Sequence, residues 1–464
     1  MSQFPIRLVP FEALIWHDDQ GGYPMVYPIV GEMTGEVDRG VAQQALEVVC
    51  RRHPLLAARV IDRRGSLSWV EGPEASDRAN AIEWREGESV YQRPIDLRVS
   101  SGVIVEFVRG ADRWRMAWHF HHCCCDGVGA AVAVGEWLLI YDAMIRGEDW
   151  QEGVKGLDER SLALRGRVRR HRSSRPPAAT GEESIRPGLA GWPGRFREFR
   201  THASIGWRVL RTTPVCVEAR RDSLSLESSK KLPTLRVRHL GEAECESLRR
   251  ASLRAGATVN DLLLVALMIT IRDWNIEVKS SEGLIPIRVL MPTNQRVSSD
   301  RGLSAANVLG YAILDRLIDR RAEPGELLRG VRDETAAISR YNLSSQFMTN
   351  IAIASKWPWL LKLGLRRRGG WATVVLSNLG EVGRRARGAY RWEGDRVATG
   401  GLRLTSLYGA PPLRPGTRMG IGVSSYRRRM ALAAFVDPRY FSESEQEELL
   451  DRLITKLIEL TRSE

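Results

Sequence analysis

Residues 113–122 alternate with a period of two. Trp114, Met116, Trp118, Phe120 and His122 share one parity; Arg113, Arg115, Ala117, His119 and His121 share the other. Successive side chains of a strand point to opposite faces, so the stretch predicts a strand with a buried aromatic face. His122 leaves that strand on the buried side. Asp126-Gly127 then turns the chain, and the apolar run 128–144 reads as a helix packed on the sheet.

The remaining chain extends this pattern. Residues 37–52 carry Val41, Ala45, Val48 and Val49 on one helical face, and Pro54 stops that helix. Short strands are expected at 67–70, 81–84 and 103–108. Beyond Leu235, helices are expected at 241–253 and 258–274, the second capped by Thr258 or Asn260. Strands follow at 285–291, 371–376, 402–408, 419–425 and 430–436. A last helix is expected after Ser442 or Ser444, paired with Glu445 or Glu447 in a capping box. Its apolar face holds Leu449, Leu450, Leu453, Ile454, Leu457 and Leu460. Between the halves lies a composition break rich in Arg, Pro, Gly and Ser, which reads as a linker or surface excursion. The expected division is a first lobe over 1–150, the Arg-rich connection over 151–215 and a second lobe over 216–464. Strands and helices in two halves make the fold class α+β, with an interface where ligands commonly bind.

The chemistry concentrates in His121-His122-Cys123-Cys124-Cys125-Asp126-Gly127. A neutral imidazole at the end of a buried strand accepts a proton near neutral pH. Asp pairs with a cation and fixes the turn, and Gly lets backbone approach a substrate closely. Three other readings compete. The histidines could simply be satisfied within a strand end. A metal could sit among the His and Cys, but contiguous strand residues point away from one another, unlike spaced ligand pairs. A Cys nucleophile lacks a recognisable nucleophile turn, and the cysteines occupy places any small residue would fill.

The HHxxxDG pattern resembles the hallmark of the CoA-dependent acyltransferase superfamily, which includes chloramphenicol acetyltransferase, condensation domains and wax ester synthase/diacylglycerol acyltransferases. Four further segments match in order. His53-Pro54-Leu55-Leu56-Ala57-Ala58-Arg59 resembles an early segment of the superfamily, and residues 256–264 resemble a helix start of the wax ester synthase group. Met291-Pro292-Thr293-Asn294-Gln295-Arg296 with Asn307-Val308-Leu309-Gly310 follows, then Leu376-Ser377-Asn378-Leu379-Gly380. The resemblance implies two chloramphenicol-acetyltransferase-like lobes, each a mixed sheet with packed helices, and a tunnel at their interface. It places catalysis on His121, His122, Asp126 and Gly127, with His122 as general base and Gly127 keeping the channel open. It makes Arg296 and Asn307 structural partners, Arg296 paired with Asp126, and sets Ser377 and Asn378 near the oxyanion. Ser425-Tyr426-Arg427-Arg428-Arg429 departs from the small Gly-containing turn of the group. The likeness is strongest to the bacterial wax ester synthase/diacylglycerol acyltransferase group of lipid metabolism, so the expected reaction is an O-acyl transfer from acyl-CoA to an alcohol, with an amine as the other acceptor, without cofactor or metal. The alternatives are a condensation-type enzyme that uses carrier-protein thioesters, and a catalytically silent binding scaffold.

The net charge of +13 invites nucleic acid as partner. Many of the arginines sit in one Pro/Gly/Ser-rich stretch and not on a patterned helix face, however, and a phosphate-bearing CoA welcomes the same charge. Nucleic acid is therefore not the expected partner. Residues 1–7 lack a secretory pattern, the longest apolar run (262–271) reads as a buried helix, and the thiols read as reduced, so the expected compartment is the cytoplasm. Residues 356–368, apolar and then basic, suit either a helix packed between lobes or peripheral membrane contact.

Overall fold

The alternating stretch is strand β7 (Trp114–His121), and His122 follows it directly. The computed structural model describes residues 4–19, 22–72, 81–158, 162–163, 165–166, 212–220, 231–279, 283–300, 302–356, 370–381 and 389–462. Most of the Arg-rich connection and all but Lys356 of the 356–368 segment lie outside the described residues.

With strands numbered along the chain, β7 sits inside a seven-stranded mixed sheet ordered β12-β13-β14-β2-β7-β6-β5. Its other members are β2 (Val26–Thr34), β5 (Glu83–Glu86), β6 (Val103–Arg109), β12 (Arg391–Glu393), β13 (Arg396–Thr399) and β14 (Leu402–Gly409). A six-stranded mixed sheet forms the second lobe, ordered β10-β9-β11-β15-β16-β8. It comprises β8 (Arg236–Leu240), β9 (Ile285–Asn294), β10 (Leu309–Ile318), β11 (Val374–Glu381), β15 (Met419–Tyr426) and β16 (Arg429–Val436). Strands β1 (Ile6–Arg7), β3 (Arg59–Arg63) and β4 (Ser66–Val70) make a small third sheet. The α+β expectation holds.

Helix α1 (Pro10–Asp18) leads into β2, and α2 (Arg39–Arg52) ends where Pro54 opens the short α3 (Pro54–Ala57). Helix α4 (Gly127–Arg146) covers the first sheet and packs against α2. It is long and apolar enough to cross a membrane, yet 67% of its apolar window is buried in the protein, as befits a core helix. In the second lobe α5 (Glu242–Arg254) precedes α6 (Val259–Lys279), whose apolar run is buried all round. Thr258, not Asn260, makes the reciprocal cap of α6: Asp261 N donates to Thr258 Oγ1 at 3.1 Å and Thr258 N to Asp261 Oδ2 at 2.8 Å. Helices α7 (Pro324–Arg340) and α8 (Ser344–Ala354) follow β10. Helix α9 (Glu443–Arg462) closes the chain with Ser442 and Glu445 as its capping box.

Two expectations need correction. The strand expected at 371–376 is displaced to Val374–Glu381, which puts Ser377 and Asn378 inside β11 rather than after it. The second lobe does not own all of 216–464, because β14 pairs with β2 (Gly409↔Ile29, Leu404↔Met33) and carries β12 and β13 into the first sheet. The physical reason is the edge of β2: its backbone groups are buried and need a ladder partner. Between the sheets lies a shared core that includes Val30, Ala117, Tyr408, Ala433 and Phe435. Both faces of β7 are therefore buried, the aromatic one under α4 and the other against the second lobe.

Candidate active site

Backbone pairing sets His122 in place. Its N–H donates to the carbonyl of Met25 at 2.8 Å, which extends the β2–β7 ladder one residue past the strand. Phe11 and Tyr27 meet the imidazole edge-on, with ring centroids 5.6 and 5.1 Å away. Nδ1 is buried without a hydrogen bond among the described residues, leaving Nε2 to meet a cavity between the lobes. Burial lowers the pKa of the ring below its ordinary 6.5 and His121 adds to this, while Asp126 and the carbonyls of His122 and Cys125 oppose it. The site therefore presents a neutral base to the cavity.

His121 points the other way and is absent from the cavity wall. It is fully buried, its Nδ1 accepts from Cys123 N at 3.1 Å, and its Nε2 lies 3.5 Å from Asp19 Oδ2. It holds the turn and does not face a substrate. The cysteine-nucleophile reading also fails on geometry. All three thiols are buried, and burial pushes them up, Cys125 to about 12, so thiolate is scarce at neutral pH. Among the described residues no group of three or more His, Cys, Asp and Glu converges as metal ligands would.

Asp126 does two jobs. Oδ1 caps α4 by accepting from Gly129 N at 2.9 Å. Oδ2 accepts from Arg296 at 2.9 Å and from Val308 N at 2.7 Å, the predicted ion pair being nearly buried on both sides. Asn307 Nδ2 donates to the carbonyls of His122 and Cys123 at 2.9 and 2.8 Å. Ala305 N donates to Nδ1 of buried His53 at 2.9 Å, and His53 Nε2 lies 3.2 Å from Glu136. Residues 305–308 of the second lobe thus strap the HHCCCDG turn from behind. This explains two segments at once: the early His-Pro segment anchors the strap, and Asn307 grips the backbone of the HHCCCDG turn.

The cavity is about 140 Å³, lined by His122, Asp126, Gly127 and Val128 on one side and by Pro292, Tyr311, Ser377 and Asn378 on the other. A Cβ on Gly127 would stand 2.7 Å from Cδ2 of Leu379, which lines the same cavity. Ser377 is half-buried on the wall. Asn378 is exposed and committed locally, since its Oδ1 accepts from Gly380 N at 2.8 Å and its Nδ2 donates to Asn260 at 3.3 Å. It shapes the turn more than it offers a donor. A larger cavity of about 290 Å³, lined by Glu32, Arg113, His239 and Arg429, includes no residue of the HHCCCDG turn. Chemistry, not size, singles out the smaller one.

Sequence reasoning missed three parts of this site. Phe11 and Tyr27 wedge the base, and Arg414 binds Asp18 at 2.5 and 2.9 Å on the cavity wall. Tyr311 lines the same wall from β10. No local signal marks contacts between residues so far apart in the chain.

Comparison of the sequence with protein-family models finds no match, and comparison with curated proteins finds none either. The fold, by contrast, is shared. The chain superposes on the first condensation domain of the calcium-dependent antibiotic synthetase at 15% identity and TM-score 0.65, over 99% of this chain and 97% of that one. It is similar to the trichothecene 15-O-acetyltransferase of Fusarium sporotrichioides at 12% identity and TM-score 0.67, over 98% and 95%. A starter condensation domain of rhizomide synthetase, solved with C8-CoA and Leu-SNAC, matches at 13% identity and TM-score 0.63, over 99% and 95%. The two-lobed architecture is that of condensation domains and the acyltransferases built like them.

Proposed function

We propose that this chain is an acyltransferase that moves an acyl group from acyl-CoA to an alcohol, with His122 as general base. One observation carries the reading: a neutral imidazole, one nitrogen turned inward and the other facing a cavity between two lobes. In the reaction His122 Nε2 takes the hydroxyl proton as the oxygen attacks the thioester carbonyl. A C–O bond forms, the C–S bond breaks, and the departing thiolate recovers the proton from the imidazolium. No acyl-enzyme is needed. Both substrates held in one passage supply proximity, and the Asp126–Arg296 pair keeps the base aimed.

A second reading, a condensation-type enzyme fed by carrier-protein thioesters, draws support from the condensation-domain likeness. The silent-scaffold reading has less behind it, because the His122-Asp126-Gly127 group is intact and open to the cavity. We place the reaction in the cytoplasm, consistent with six free cysteines. The segment 356–368, to which the membrane-contact reading attaches, lies outside the described residues but for Lys356.

The test is thiol release from acyl-CoAs of graded length, and from an acyl-carrier thioester, against a panel of alcohols and amines. Release that depends on acceptor and vanishes in His122→Ala is the expected result. Activity that survives this substitution overturns the assignment.

A further inference from the structure

Four residues of the cavity wall carry hydroxyls: Tyr27, Thr293, Tyr311 and Ser377. Two are already engaged. Tyr27 donates to the carbonyl of Cys125 at 3.0 Å, and Thr293 to that of Gly310 at 3.3 Å. Tyr311 and Ser377 have no hydrogen-bond partner among the described residues. Hydroxyls on a cavity wall that spend no bond on the protein can donate to a ligand held there.

The sheet brings these two hydroxyls to one level. Tyr311 pairs with Pro292 across β10 and β9, and Val375 pairs with Leu290 across β11 and β9. Carrying that second register two residues onward sets Ser377 level with Pro292. The β9–β11 ladder stops at Leu290↔Val375, just before Pro292, which has no N–H to continue it. The sheet thus parts between β9 and β11 where the cavity lies, with Ser377 on the β11 lip and Tyr311 one strand in from the other, beside Pro292 of β9. Phe347 meets the Tyr311 ring edge-on at 5.2 Å, and Phe11, the neighbour of His122, stands 5.9 Å away. The ring is fixed by packing, and its hydroxyl is left to the cavity. Burial pushes the phenol pKa well up, so it remains an O–H donor at any working pH.

We infer that the Tyr311 hydroxyl is a second hydrogen-bond donor, with Ser377, to the carbonyl oxygen of the bound thioester as it becomes an oxyanion. The inference rests on the transferase reading above. Tyr311 donates without giving up its proton, so it is a stabiliser of charge and not an acid or base in the sequence of steps. Two donors on separate strands, facing a base on the other lobe, bracket the reacting carbonyl.

The experiment compares Tyr311→Phe, Ser377→Ala and the double substitution in full-length protein, with steady-state thiol release as readout. Tyr311→Phe keeps the ring and its packing, so the fold should be retained, as checked by thermal unfolding. The expected result is a kcat lower by about 100-fold with the KM for acyl-CoA nearly unchanged, because the bond is made in the transition state. A kcat within about twofold of the parent overturns the inference, and so does a loss confined to the acceptor KM, which would make Tyr311 an acceptor-binding group. In either case His122→Ala still abolishes turnover and the transferase reading stands. Absence of thiol release from the parent protein with every donor and acceptor sinks both.

Discussion

At the scale of single residues the site works through protonation and pairing. His122 is held neutral by burial, so under the proposed function the proton-accepting form is the one present at neutral pH. Turnover efficiency (kcat/KM) should therefore rise with pH and reach its plateau below pH 6.5, the ordinary value for the ring. A plateau reached only above that value would contradict the assigned state. Asp126 and Arg296 are buried together, and removing one strands the other. Asp126→Ala should cost about 3–5 kcal/mol of stability, read from denaturant midpoints, and should also lower activity through the loosened turn. Glu106 adds an acid-labile element beneath β7. Burial alone would raise its pKa, but hydrogen bonds from His119 and Arg85 outweigh this and hold it at about 2. The unfolded carboxyl titrates near 4.5, so between these values the unfolded chain binds more protons than the folded one. Stability from Glu106 is thus complete above about pH 4.5 and lost as pH falls toward 2, a decline that Glu106→Gln should flatten in acid titrations of unfolding.

At the scale of elements, the start of α4 and the end of β11 face each other across the passage. Gly127 is the first residue of α4 and has an ordinary helical backbone, so a larger side chain there is a matter of space and not of strain. Gly127→Val should leave the melting temperature close to the parent and yet reduce turnover strongly, since its Cβ would lie 2.7 Å from Leu379 Cδ2. Partial recovery on adding Leu379→Ala, measured by thiol release, would show that the block is steric. The strap 305–308 acts at the same scale. It fixes the HHCCCDG turn through the Asn307 side chain, which donates to the carbonyls of His122 and Cys123, and through Val308 N, which donates to the Asp126 carboxylate.

At the scale of the whole molecule, the lobes are not separable at the composition break. Strand β14 comes from the second half of the chain and completes the sheet that holds β7, while the opposite face of that sheet buries Val30 and Ala117 against β16. A fragment spanning 1–150 would expose the edge of β2 and that apolar face. It should be insoluble or aggregate when expressed alone, and gain solubility when co-expressed with 216–464. A monomeric, cooperatively unfolding 1–150 fragment on size exclusion and calorimetry would contradict this.

What the sequence determined by itself is local in character. Alternation from Trp114 to Phe120 set the side on which His122 leaves its strand, the apolar run after Gly127 announced α4, and Ser442 with Glu445 marked the start of the last helix. Such features follow from the geometry of neighbouring residues, which a linear pattern records. The Asp126–Arg296 pair was reached through the ordered motifs and not through spacing. Tertiary structure alone decided the rest: the entry of β14 into the first sheet, the grip of Asn307 on the HHCCCDG turn, and the inward retreat of His121. It also set the Asp18–Arg414 pair and brought the hydroxyl-bearing Tyr311 and Ser377 to one cavity wall. Backbone ladders form whatever the side chains are, and an ion pair 396 residues apart leaves no local trace, so only the folded chain brings these groups together.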